Sequence, residues 1–185
     1  AEARAAGYYL ASSPQYSYLR RDLTQVVQWA ACEMLAVYPS MPPIGLSDLA
    51  QANGLTPGTD VGSPRHPTTT HRGNDLDIAY LQTDGSNNPQ IICGDGSDTN
   101  GNGRPGRYND GYFCTTEANI VDSEQQMRFM ALMATHPDWR VVGIDETLLD
   151  LFLSEAADLY NTGIITRAVY DRLRSFGVGA EGGWQ

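Results

Sequence analysis

Histidine is scarce in this chain, and two of its three copies stand just ahead of a pair of aspartates, in the run His66-Pro-Thr-Thr-Thr-His71-Arg-Gly-Asn-Asp75-Leu-Asp77-Ile-Ala-Tyr80. Imidazole nitrogen and carboxylate oxygen both bind zinc, at about 2.0–2.2 Å. A histidine in a loop that feeds a strand, with an aspartate on that strand, can bring both ligands to one ion. His71 and Asp77 are the primary pair on this reading, with Asp75 and His66 as further ligands or supporting groups. Strand alternation places Asp75 and Asp77 on one face and Leu76 and Ile78 on the other. Two neighbouring carboxylates repel each other unless a cation or hydrogen-bond donors stand between them. The plainer alternative makes the aspartates the wet face of an ordinary strand and leaves His71 hydrogen-bonded in a turn.

A second metal pattern lies further on. Asp98, Asn100, Asn102 and Gly103 match the start of a calcium loop, with oxygen ligands at alternate positions and glycine at the sharp turn. The twelfth position is Asn109 where a bidentate glutamate is wanted, and Asp/Asn/Gly richness is also ordinary surface-loop composition. Ca2+ is therefore a candidate beside Zn2+. No Gly-x-Ser-x-Gly, Walker loop or dinucleotide fingerprint is present, and no cysteine sits beside a histidine.

These groups need elements to hold them. Leu19, Leu23, Val26, Val27, Ala30, Ala31, Met34 and Leu35 recur at helical spacing, which predicts an N-terminal helix over residues 17–37, stopped by Pro39. IGLSDLAQANG reads as a short strand entering a loop, and DLDIAYL alternates like a half-buried strand. SEQQMRFMALMATHP is a helix with Met127, Met130, Leu132 and Met133 on its apolar side. His136, at its end, reads as structural. RVVGID is a short strand. Thr147 to Asn161 is an amphipathic helix stopped by Gly163, and TRAVYDRLRSFG is another, with Thr166 as N-cap and Gly177 at its end. The order predicts one α+β domain over residues 1–185, a small antiparallel sheet flanked by helices. Residues 84–114 form a long Asp/Asn/Gly-rich insertion.

Cys93 and Cys114 flank that insertion, which has too few apolar residues to hold itself by packing. A bridge between them closes a loop of a length that contributes about 3 kcal/mol in the chain-entropy picture, and it implies an oxidising compartment. Cys32 lies in the apolar stretch VVQWAACEML, so a buried free thiol is expected there.

The formal charge is −10, and arginine supplies every basic side chain. Such a surface repels phosphates and anionic lipid, which excludes nucleic acid as a partner. No apolar run reaches the roughly 18–20 residues that span a bilayer, so no integral membrane segment is expected. The start AEARAAGYY has no basic n-region with an apolar stretch behind it, which leaves a cytoplasmic protein or one whose signal peptide has been removed.

THRGNDLDIAY resembles the first metal motif of the penicillin-insensitive murein endopeptidases, which belong with the lysostaphin, D-Ala-D-Ala peptidase and hedgehog group. Thr70, His71, Gly73, Asp75, Asp77 and Ile78 occupy the matching positions. Asp48, Leu49, Gln51, Asn53 and Gly54 resemble an upstream segment of the family, and HPDWRVVGIDETLLDLFL resembles its helix, strand and second helix. The resemblance implies a hedgehog/D-Ala-D-Ala-peptidase-like fold, zinc at His71 and Asp77, and hydrolysis of peptidoglycan cross-link peptides in the periplasm or outside the cell. Two departures accompany it. Five residues separate His71 from Asp77, one fewer than the family's usual spacing. The family's C-terminal His-x-His, which supplies the third ligand and a catalytic histidine, is not found before GAEGGWQ, so both are expected beyond Gln185. The alternative is a non-catalytic cell-wall-binding or structural extracellular protein derived from the same fold.

Overall fold

Helical periodicity around Met34 is realised as α1, Arg21–Val37, in the computed structural model of the chain. Residues 6–11, 13–47, 49–62, 73–87, 118–140, 142–144, 148–175 and 177–178 are described. They belong to two compact units, Ala1–Tyr80 with Gly85–Pro89, and Leu81–Asp84 with Gln90–Gln185.

In the first unit α1 buries Val27, Ala30, Ala31 and Met34, which recur at the spacing of one helix face. Asp22 in its first turn suits the positive end of the helix dipole. Cys32 is exposed and free, contrary to the buried thiol expected from its apolar neighbours. At about 100° per residue it points away from the Val27–Ala31–Met34 stripe. Trp29 is likewise exposed.

The first unit's sheet comprises β1, Tyr8–Leu10, β2, Ile44–Ser47, and β3, Asp77–Ile78, in that spatial order. It is mixed, which corrects the expectation of an antiparallel sheet. β1 runs parallel to β2, with Tyr8 opposite Ile44 and Leu10 opposite Leu46, while β3 runs antiparallel, with Ile78 opposite Leu46 and Asp77 opposite Ser47. A parallel pair needs a long crossover, and α1 supplies it. In the central strand Ile44, Gly45 and Leu46 are all buried. Asn87, itself buried, donates from Nδ2 to the carbonyl oxygen of Pro42 at 3.0 Å and ties residues 85–87 to the entry of β2.

The second unit is helical. Asp122 caps α2, Ser123–Met133, accepting from the Gln125 N–H at 3.0 Å and from Gln125 Nε2 at 2.6 Å. Met127, Phe129, Met130, Ala131 and Met133 of α2 are buried, whereas Leu132 is only half-buried. Phe152, Ala156 and Leu159 are the buried positions of α3, Leu149–Asn161. Gly163, at φ +75°, ends that helix in the left-handed region that glycine enters without strain. Thr166 caps α4, Arg167–Leu173, by accepting from the Val169 N–H, as its position predicts. The three helices pack on one another. A parallel pair, β4 at Gly143–Ile144 and β5 at Gly177–Val178, completes the unit. Gly177 therefore lies in a strand and not at a helix end, because α4 stops at Leu173.

The architecture is α+β, with four helices and a small mixed sheet among the described residues. None of those helices is long and apolar enough to cross a membrane.

One contact between α2 and α3 makes stability depend on pH. Burial pushes the Glu155 carboxyl up, the Ser123 hydroxyl donating to it at 3.3 Å opposes this, and the carboxylates of Glu124, Asp158 and Asp122 push it further up. A raised acid binds its proton more tightly in the folded chain than in the unfolded one. The associated stability is full below the unfolded value and is lost as pH rises through the folded one. Glu155→Gln, which mimics the protonated acid, should melt higher than wild type at neutral pH and converge with it at acid pH. Thermal melts across that range check this.

Candidate metal centre

The local chemistry begins at Gly73. Its φ of +79° turns the chain just before Asp75, and its carbonyl oxygen accepts from the Arg20 N–H at 2.9 Å, at the start of α1. Four residues on, Asp77 enters β3 opposite Ser47. The Ala79 N–H then donates to the Gly45 carbonyl oxygen at 2.9 Å. Asp77 is thus carried on backbone tied to the buried central strand, and its side chain is half-buried.

Asp75 sits differently. It precedes the strand and is exposed. The described strand is only two residues long, so the alternation expected over DLDIAYL does not extend across it. Leu76 and Ile78 are half-buried, and the fully buried apolar positions of the segment are Ala79 and Leu81.

The upstream segment forms a tight turn. Leu49 and Ala50 are buried, and Ala50 pairs with Tyr18 across an antiparallel bridge. The Gly54 N–H donates to the Gln51 carbonyl oxygen at 2.9 Å, and Asn53 Oδ1 accepts from the Leu55 N–H at 3.0 Å. The buried Gln51 side chain donates to Asp60 through Nε2. Gln51, Asn53 and Gly54 of the resemblance here thus build a turn, which their types explain. Leu49 is buried core, and Asp48 lies outside the described residues.

His66 and His71 lie outside the described residues, as do the cysteines at 93 and 114 and the calcium candidates Asp98, Asn100 and Asn102. Among the described residues no three His, Cys, Asp or Glu side chains gather as a metal-binding group. Of the expected ligands the structure describes Asp77 and Asp75 and distinguishes them, the first half-buried on a strand and the second exposed ahead of it. A strand-borne carboxylate suits a metal ligand, since its backbone is held before the ion arrives. His136 belongs to a turn after α2. Its Nδ1 accepts from the Asp138 N–H at 3.2 Å, and its carbonyl oxygen accepts from Arg172 Nη1 at 2.8 Å.

Comparison with protein-family models, with curated proteins and with solved structures gives no match for this chain.

Proposed function

We propose that the chain is a zinc-dependent endopeptidase-like domain acting on peptidoglycan cross-link peptides in the periplasm or outside the cell, with His71 and Asp77 as two of its metal ligands. The observation that carries this reading is the coincidence of Thr70, His71, Gly73, Asp75, Asp77 and Ile78 with one metal motif. Two local features support it. Gly73, at the position of the motif's glycine, turns the chain in the left-handed region, and Asp77 is carried on a strand joined to the central β2.

When bound, zinc would supply Lewis-acid polarisation of the scissile carbonyl and a water with its pKa lowered to about 7. Within the chain, His71 would contribute a neutral imidazole and Asp77 a carboxylate. The two β2 partners Leu46 and Ser47 hold Asp77 and Ile78 in register. Asp75, exposed and outside the strand, is assigned a supporting part at most.

Elemental analysis of the purified full-length protein tests the reading. Near-stoichiometric zinc is expected in the wild type, lost on His71→Ala and on Asp77→Ala, and retained on Asp75→Ala. A wild type without zinc would sink the peptidase reading and leave the non-catalytic wall-binding one. Zinc that survives both ligand substitutions would move the site elsewhere.

A further inference from the structure

Helices α3 and α4 carry between them an aromatic–guanidinium stack that the metal reading does not use. Tyr160, in the last turn of α3, and Tyr170, in α4, lie face to face with centroids 5.0 Å apart and planes within 8°. The Arg167 guanidinium carbon lies 5.8 Å from each of the two centroids. That of Arg174 lies 5.5 Å from the Tyr170 centroid, over the ring. Arg167, Tyr170, Asp171 and Arg174 recur at the spacing of one helix face, so a single side of α4 presents all four.

The two arginines differ in what they hold. Arg167 Nε donates to both oxygens of Asp171, at 2.9 and 3.0 Å. That guanidinium already has its carboxylate. Arg174 is exposed, its guanidinium lies over the Tyr170 ring, and among the described residues it forms no ion pair with a carboxylate. A guanidinium laid on an aromatic face keeps its planar fork of N–H donors in a restricted orientation, which lowers the ordering cost of taking a bidentate partner. With Asp171 neutralising Arg167, the cluster keeps a single positive charge. That charge suits a monoanion better than a phosphate dianion.

We infer that Arg174, laid over Tyr170 of the Tyr160–Tyr170 stack, is a binding point for a carboxylate-bearing ligand whose body lies against the tyrosine pair. The shared chemistry is a planar monoanionic carboxylate, from a peptide's free terminus or a small aromatic acid. The inference stands apart from the metal reading and uses none of its residues.

The test is an NMR titration of the full 185-residue chain, following the Arg174 Nε–Hε resonance in the wild type and the backbone amide of residue 174 in both wild type and variant. The probes are sodium benzoate and N-acetylalanine, with benzamide as neutral control and inorganic phosphate as competitor. A saturable shift with at least one carboxylate and none with benzamide is expected. Arg174→Lys keeps the charge at the end of α4 but loses the fork, and should weaken binding by about tenfold or more without moving the melting temperature. Tighter binding of N-acetylalanine would identify a peptide terminus, and tighter binding of benzoate an aromatic acid. Equal shifts with benzamide, unchanged affinity in Arg174→Lys, or phosphate binding more tightly than both carboxylates would overturn the inference and leave the stack as a latch between two helices.

Discussion

Gly45→Ala is expected to destabilise the first unit by about 1–3 kcal/mol, the usual cost of forcing extra volume into a packed interior. A Cβ on Gly45 would stand 3.0 Å from Ala79 Cβ, 3.0 Å from the Tyr9 hydroxyl and 3.1 Å from the Asn87 carbonyl oxygen. Tyr9 is the cross-strand partner of Gly45 in the parallel pair, and its hydroxyl donates to that same Asn87 oxygen at 2.8 Å. The methyl group would therefore press on a hydrogen bond as well as on a neighbouring strand. None of the three atoms ends a flexible chain: one is a Cβ, one a backbone oxygen and one the tip of an aromatic ring. Urea melts of Gly45→Ala, Tyr9→Phe and the double variant check the mechanism. Removing the hydroxyl relieves part of the clash, so the double variant should lose less than the two single losses combined. Strict additivity would show that the contact does not matter.

Gln126→Leu should cost about 1–3 kcal/mol, since it strands a buried donor. Gln126 is only 3% exposed although it is polar and sits amid the apolar side of α2. Its Oε1 accepts from the Leu81 N–H at 2.8 Å, across 45 residues of chain. Leucine has nearly the same volume, so packing changes little while the amide loses its acceptor. Gln126→Glu keeps an acceptor oxygen in place and should retain more stability than Leu at a pH where the acid is neutral. Chemical denaturation at two pH values separates the two variants. A leucine variant as stable as wild type would show that water satisfies the Leu81 amide instead.

Both predictions concern residues on which periodicity alone is silent. A glutamine at position 126 reads as a polar interruption in SEQQMRFMALM, because no local pattern reports that an amide from position 81 arrives there. Gly45 reads as a weak point in a short strand, because only the pairing with Tyr9 and the approach of Asn87 give its missing side chain a purpose. Cys32 errs the other way. Its neighbours are apolar, but helical geometry turns it out of the buried stripe.

The calcium candidates and the cysteine pair at 93 and 114 remain sequence expectations. The metal proposal rests on the motif, joined to the structural placement of Asp77.

The sequence alone determined that the helices exist and roughly where they lie, though α1 begins at Arg21 and α4 ends at Leu173 and not at Gly177. Apolar residues at 3.6-residue spacing define α1, α2 and α3, Thr166 caps α4, and Gly163 stops α3, since periodicity, capping and left-handed turns are local properties of the chain. It also placed a strand at IGLS and one within DLDIAYL, of which only Asp77–Ile78 forms a strand. Tertiary structure decided the pairing. Tyr8–Leu10 and Gly177–Val178 are too short to show alternation, and become strands only by lying beside partners dozens of residues away. The mixed sense of the sheet follows from the crossover through α1, and the difference between Asp75 and Asp77 follows from where β3 begins. Strand partners, burial of a lone polar side chain and the stacking of Tyr160 on Tyr170 are set by contacts between distant residues, which no local spacing encodes.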